Sequence, residues 1–421
     1  MKLQKIVNRL QKLHPKEIDL SLDRIKTLCK KLGNPQDKIK AISVVGTNGK
    51  QSTINAMFSI LKEANIKCNV YTSPHIQRIN ERFIFDNQEL DDEKLANLFE
   101  EVEQINDNQE ITFFEILTAC YFYKASKYTN NINLIEAGLF HRFDATNILK
   151  SNLASIVCSI SKDHLDWLPK DQQTIEKIVF EKTSALLNSN IIVSKQNSIN
   201  TTKYIKKTIL KNSSKKYYFN EDFSYSRGEN GFFYYEDKFG GLKLPEPNIL
   251  GEFQLENIST AIATLRLLNL NIKDNDIKSG IKKIKSIARL QEIKSGKLKA
   301  LVKNNQLIID GSHNEDGARV LNEYLQSLDC NKHIILGMMA NKDHEKYISY
   351  FKDFSSLTTI DIPGQPNSIS GKELKKKLKS IQNVQYKKNI EQAIESIPLK
   401  ENDLVIITGS LYLAGEMLNL N

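Results

Sequence analysis

The stretch AISVVGTNGKQST, residues 41–53, ends an apolar run in Gly46, Thr47, Asn48, Gly49 and Lys50, followed by Gln51 and Ser52. A strand that breaks into glycines and opens a helix has the parts of a phosphate cradle. The glycines let backbone N–H groups approach oxygen atoms, the helix N-terminus adds positive potential, and Lys50 supplies a point charge. The match to G-x-x-x-x-G-K-[ST] is imperfect, because Val44 stands at the first glycine and Gln51 separates Lys50 from Ser52. A turn that merely links strand to helix would use the same residues, so the loop alone does not decide.

The elements that must position this loop read as alternating strands and helices. KAISVVG precedes a helix from about Ser52, KCNVYTS precedes a helix over 92–103, and NINLIEAG and LASIVCSIS follow. That alternation predicts an α/β fold with a mainly parallel sheet, of the P-loop type if the loop reading holds. The segment KKYYFNEDFSYSRGENGFFYYEDKFGGLKL alternates in twos and predicts antiparallel strands with tight turns, an elaboration of the first domain. Helices are expected over 254–269 and 273–284. A second strand and helix series begins after IKSIARLQEIKSG, with NQLIIDGSHN, a helix from Glu315, KHIILGMM, SLTTIDIPG, NDLVIITGS and a last helix. The expected division is 1–286 and 287–421, the latter a smaller Rossmann-like α/β domain.

At 421 residues the chain exceeds one ordinary core. It contains no apolar run of the roughly 18 residues that span a bilayer, and its first residues lack the apolar core of a secretory signal, so a cytoplasmic protein without a membrane partner is expected. Five scattered cysteines without a C-x-x-C pair argue against a disulfide framework or a zinc site. The net charge of +9 comes from lysines spread over the whole chain, and the aromatic-rich segment is also acidic, which disfavours nucleic acid as a partner.

Further segments complete the pattern. They are YTSPHIQRINERF (71–83), TFFEILTA (112–119), IEAGLFHRFDATN (135–147), SKDHLD (161–166), FEKTSAL (180–186), GEFQLENISTA (251–261), ARLQ (288–291), DGSHNEDGA (310–318) and TGSLYLAGE (408–416). In content and order the chain resembles the folylpolyglutamate synthase and dihydrofolate synthase family of the Mur ligase superfamily, over essentially its whole length. The resemblance implies an ATP- and Mg²⁺-dependent ligase that phosphorylates a folate or pteroate carboxylate and lets L-glutamate attack the acyl phosphate, giving an amide, ADP and phosphate. Such chemistry asks the protein for alignment and charge compensation.

The resemblance also implies roles. Magnesium ligands fall on Ser73, Glu136 and His164, of which the imidazole is the least usual for Mg²⁺. Lys182 stands where family members carry a carbamylated lysine, and a monovalent cation is a further expected cofactor. Asn257, Arg289 and Asp310 fall at ATP, with Arg289 expected to reach phosphate on domain closure. Arg82, His313 and Ser410 fall at glutamate, where the arginine fork suits a carboxylate. Asp19, Leu20 and Ser21 of IDLSLDRI, together with Phe114, fall at the pterin. Each has an ordinary structural alternative: a water-facing carboxylate for Glu136, a surface histidine for His164, a helix-face lysine for Lys182, a paired surface arginine for Arg289, a core ring for Phe114. The family resemblance suggests a monomer.

Three departures bear on specificity. Gln51 replaces a glycine, GLFHRFDATN stands where the family has GLGGRLDATN, and Phe253 replaces a histidine. Gln51 is tolerable in a first helical turn unless φ must be positive. Phe140 and His141 replace small residues near the metal region. A Mur-type ligase acting on a cell-wall precursor and a non-catalytic nucleotide-binding regulator are the competing functions.

Overall fold

The strand Lys40–Val45 is buried at every position but its first, as a β-branched run between parallel neighbours should be. It occupies the interior of an eight-stranded sheet in the computed structural model, which describes every residue except Met1, Glu17, Ile18, Asn230 and Ser380. The strand order is Gln88–Glu89, Phe83–Phe85, Cys68–Tyr71, Ile132–Glu136, Lys40–Val45, Ala154–Val157, Asn190–Val193, Lys216–Tyr218. Six are parallel, and the first two join antiparallel at one edge. From Lys40–Val45 the chain passes to one side for Cys68–Tyr71 and Ile132–Glu136, then to the other for Ala154–Val157. The order therefore reverses at the phosphate-loop strand, where open α/β sheets bind ligands at the carboxyl ends of their strands.

The chain divides into two units. The first comprises Met1–His164, Leu168–Asn248 and Leu255–Ile284; the second comprises Leu165–Trp167, Ile249–Gln254 and Lys285–Asn421. In the first unit, helices Lys2–Leu10, Asp23–Lys31, Asp92–Asn106 and Phe113–Ala125 pool their apolar faces with Ala41, Tyr71 and Ile135 of the sheet. The last of these helices starts where Thr-x-x-Glu says it should. The Thr112 hydroxyl accepts from the Glu115 N–H, and the Glu115 carboxylate accepts from the Thr112 N–H.

The aromatic-rich segment divides differently from its expected pattern. Phe223–Arg227, Phe232–Asp237 and Leu242–Pro245 form an antiparallel three-stranded sheet, but Lys216–Tyr218 pairs parallel with Asn190–Val193. Alternating aromatic and polar residues fit an edge strand of either sheet, so alternation alone could not assign it. Asn230, at the Gly-Glu-Asn-Gly turn, lies outside the described residues.

The second unit holds a six-stranded sheet in the order Gln291–Glu292, Gln306–Ile309, Leu404–Thr408, Lys332–Leu336, Ser356–Thr359, Gln385–Tyr386. All neighbours are parallel except the first pair. The two edge strands have two residues each and carry no periodicity for sequence reading to detect. Among the described residues no helix is long and apolar enough to cross a membrane.

Candidate functional site

Gly46 follows its strand at φ +150°, and a Cβ there would lie 2.8 Å from the Cβ of Cys158. The loop is then tied to the neighbouring chain. The N–H groups of Thr47 and Asn48 donate to the Ser159 carbonyl at 2.8 and 3.2 Å, and the Thr47 hydroxyl donates to the Ser161 carbonyl at 3.1 Å. These amides are thus engaged within the protein, which narrows the expected cradle. What it leaves for an anion is the first turn of helix Lys50–Glu63, where the amides of Gly49, Lys50, Gln51 and Ser52 have no intrahelical acceptor. Gln51 keeps an ordinary negative φ, so its departure from glycine leaves the turn intact.

Gly49 is different. It caps the helix at φ +86°, and a Cβ would fall 2.4 Å from Oδ1 of the buried Asn257. Asn257 therefore stands directly against the loop. Gly49→Ala meets both left-handed strain and this clash, and is expected to weaken ATP binding at least about ten-fold. Calorimetric titration with ATP checks this, and unchanged affinity would show that the loop yields without consequence.

Lys50 reaches toward the strand end beside it. Its Nζ donates to the Thr47 carbonyl at 3.1 Å and lies 3.7 Å from Oε1 of Glu136. Parallel pairing of Val44 with Glu136 places that carboxylate at the loop. Glu136 is 3% exposed, and its Oε2 accepts the Ser73 N–H at 3.1 Å. Ser73, Glu136 and Lys50 are thus brought together at the carboxyl ends of adjacent strands. His164 stands at φ +55° beside Asp163, with its ring edge toward Phe140 at 6.5 Å. Among the described residues no group of three or more His, Cys, Asp or Glu could hold a metal. The donors expected for a metal, Glu136, Ser73 and His164, are a carboxylate, a hydroxyl and an imidazole, a sparse and mainly oxygen set. That fits Mg²⁺, which keeps several waters and is usually completed by substrate phosphates.

Lys182, on helix Ile175–Thr183, is 3% exposed, and its Nζ donates to the Gly46 carbonyl at 2.9 Å. Burial, reinforced by the charge of Lys50, pushes its pKa down to about 7. Phe140 lies under it, with Nζ 5.4 Å from the ring centre, and holds φ +56° where the family has glycine. His141 is fully packed, its Nδ1 lacks a protein partner, and burial together with Lys182 lowers its pKa to about 4.

A residue that sequence reading passed over shapes this turn. Asp144 accepts the N–H groups of Gly138 and Leu139 at 2.9 Å each, and both the N–H and hydroxyl of Thr146. Burial raises its pKa while these donors oppose the rise. The Asp-Ala-Thr-Asn motif carried the signal, but its clamp spans a turn that no periodicity reveals.

The other candidates of the first unit are placed as follows. Arg82 donates from Nε to Nδ1 of His75 at 2.9 Å, and burial plus that arginine lower His75 to about 4. Phe114 is half-buried, stacked on Tyr71 at 6.0 Å and packed against Gly138, which supports its core reading without removing a face for a ligand. Helix Asp23–Lys31 begins after IDLSL, so Leu20 and Leu22 precede it, and Leu20 is 36% exposed. Arg24 anchors this segment through Asp19 Oδ2 at 2.9 Å and Glu115 Oε2 at 3.0 Å. Ser21 Oγ accepts the Asp23 N–H, and Ile18 lies outside the described residues.

In the second unit Arg289 sits between Ala288 and Leu290, both at positive φ. The Leu290 N–H donates to Asp310 Oδ2 and the Gly311 N–H to the Ala288 carbonyl, so Arg289 and Asp310 are brought together. Side chains rarely adopt this conformation, and one on each side of an arginine marks a position fixed by its surroundings. His313 Nδ1 lies 2.9 Å from the Gly311 carbonyl. A carbonyl can only accept, so Nδ1 is the donor in this contact. Ser410 is buried and its Oγ accepts the Tyr412 N–H as the cap of helix Leu411–Leu420. Phe253 packs against the core of this unit.

Comparison with known proteins adds the following. The family described as Mur ligase, glutamate ligase domain matches residues 296–411. A dihydrofolate synthase/folylpolyglutamate synthase of Haemophilus influenzae is 29% identical over 97% of this chain and 94% of its own. A folylpolyglutamate synthase of Lacticaseibacillus casei is 27% identical over 93% of this chain and 92% of its own. The solved structure of Escherichia coli FolC in complex with DHPP and ADP superposes with a TM-score of 0.86 at 26% identity, covering 99% of this chain and 97% of that one.

Proposed function

The chain belongs to the folylpolyglutamate synthase and dihydrofolate synthase family of the Mur ligase superfamily, and from that premise we propose that it uses ATP to join L-glutamate to reduced folates and to dihydropteroate. The observation that carries the reading is the meeting of Lys50, Glu136 and Ser73 with the first-turn amides of Lys50–Glu63 at the carboxyl ends of the sheet's interior strands.

In the proposed reaction a carboxylate oxygen of the pteroate or folate attacks the γ-phosphorus of ATP. The bond to the β,γ-bridging oxygen breaks, ADP leaves, and an acyl phosphate forms. The amine of glutamate then attacks the acyl carbon, phosphate departs, and the amide remains. Lys50 and the first-turn amides offset the charge of the phosphoryl group in flight. Ser73, Glu136 and His164 would hold Mg²⁺, which when bound supplies further compensation of phosphate charge. Asn257, Arg289 and Asp310 are the proposed nucleotide contacts.

Glutamate arrives as an ammonium and must lose a proton before it attacks. His313, whose ring is oriented by the Nδ1–H bond to the Gly311 carbonyl, is the proposed residue that orients the amine, and Arg82 and Ser410 are the proposed partners of the glutamate carboxylates. Lys182 is the proposed site of carbamylation: only a neutral amine adds CO₂, and a pKa near 7 provides one near neutral pH. A monomeric, cytoplasmic enzyme accords with this reading.

Phosphate release from the purified protein with ATP, Mg²⁺ and L-glutamate tests the proposal. Turnover is expected with dihydropteroate and with tetrahydrofolate. Turnover with tetrahydrofolate alone would confine the enzyme to polyglutamylation, and none with either, in a folded protein that binds ATP, would sink the assignment.

A further inference from the structure

Under the carboxyl edge of the second unit's sheet lie three hydroxyls that no motif of the sequence singled out as a group. The Tyr347 hydroxyl is 2.9 Å from Ser312 Oγ and 2.8 Å from Thr408 Oγ1, and Ser312 Oγ is 3.3 Å from Thr408 Oγ1. Each hydroxyl has one proton to give and lone pairs to receive. Three mutual contacts and three protons close into a ring in which every member donates once and accepts once. Tyr347 is 1% exposed and Thr408 is buried as well, which keeps water from the bond between them, while Ser312 is half-buried.

The ring joins pieces of chain that carry proposed substrate residues. Ser312 immediately precedes His313, and its N–H donates to Asp310 Oδ1 at 2.9 Å. Thr408 ends strand Leu404–Thr408, two residues before Ser410, and the Gly409 N–H returns to the Ser312 carbonyl at 3.1 Å. Tyr347 comes from a third segment, helix His344–Ile348. Without its hydroxyl, Ser312 and Thr408 keep only the 3.3 Å contact of the ring, and each loses a partner.

We infer that Tyr347 is a positioning residue for glutamate, setting through Ser312 and Thr408 the distance between His313 and Ser410. The inference rests on the proposed assignment of His313 and Ser410 to glutamate. Tyr347 touches no substrate; it acts on the two loops that do. A change of a few tenths of an ångström there alters how glutamate is received while leaving the phosphate loop of the first unit as it was.

The test is steady-state kinetics of Tyr347→Phe, which keeps the ring of the side chain and removes only the oxygen. The KM for glutamate is expected to rise about ten-fold, the loss of one buried hydrogen bond, with KM for ATP unchanged and kcat at saturating glutamate within about two-fold. Ser312→Ala, which reaches the same ring from another segment, should give the same selective rise. The double variant should be no worse than the worse single one, because either change opens the ring. Tyr350→Phe, on the neighbouring turn with its hydroxyl toward Glu315, is the control and should match the parent. An unchanged glutamate KM in Tyr347→Phe overturns the inference, as does a parallel rise in every KM with a lowered melting temperature, which marks a structural tyrosine. A parent enzyme that releases phosphate without any dependence on glutamate overturns the proposed function itself, and is distinguished by being seen before any substitution.

Discussion

Lys50→Ala should lower ATP turnover by about a thousand-fold or more, the cost of removing one preorganised positive group from a phosphoryl-transfer site. Lys50 is held for this task by the Thr47 carbonyl and by Glu136, so its ammonium is in place before a nucleotide arrives. The substitution has a second effect that follows from burial. Glu136 is 3% exposed and loses its neighbouring cation. A carboxylate left in that setting costs stability, so the melting temperature should fall by a few degrees while the protein stays folded. Turnover is read by phosphate release and stability by circular dichroism. Retention of the parent rate would remove the loop from the mechanism, and an unshifted melt would show that solvent reaches Glu136.

Lys182→Met should abolish most of the activity and yet yield a protein that is more stable at pH 6 to 7. The folded state holds Lys182 near pKa 7, whereas the unfolded chain restores it to about 10.5. Between those values the unfolded state binds a proton that the native state does not, so stability rises with pH across this window. Below pH 7 both states are protonated and the full penalty for burying the ammonium is present, of order a few kcal/mol. Methionine has similar length and no charge, so the variant should lose this pH dependence and gain stability where the parent is weakest. Activity should fall about a hundred-fold or more, because the residue can no longer present an amine or a carbamate near the proposed metal ligands. Denaturant unfolding from pH 6 to 10.5 in CO₂-free buffer, with phosphate release at pH 7.5, reads both effects. Parallel pH curves for parent and variant would mean that the native lysine stays protonated in its pocket.

Much of this site was legible because its residues are local in sequence. The glycines, Lys50 and the helix they open lie within a few positions of one another, and the strand-helix alternation is periodic. What escaped reading is held by contacts between distant segments. The engagement of the Thr47 and Asn48 amides by Ser159 depends on a neighbouring strand, the Asp144 clamp on the conformation of a turn, and the Tyr347 ring on three separate elements. Lys216–Tyr218 was expected in the wrong sheet because an edge strand alternates in the same way whichever partner it takes. Phe140 and His141 were visible as departures, but the left-handed backbone of one and the unpartnered nitrogen of the other are properties of packing.

The place of Lys40–Val45 in the sheet also bears on how the chain is made. Its neighbours, Ile132–Glu136 and Ala154–Val157, are encoded far downstream, so during synthesis the strand leaves the ribosome with both edges open. For that interval it is an apolar, β-branched segment with unsatisfied backbone groups, the kind that pairs with other nascent chains. Lysines and asparagines around it oppose such pairing, but only arrival of the later strands ends it. The same delay means that no truncated product stopping before residue 132 can hold a nucleotide in this site. Nucleotide, binding only the finished sheet, then stabilises chains that contain all of its strands and not the shorter ones by mass action.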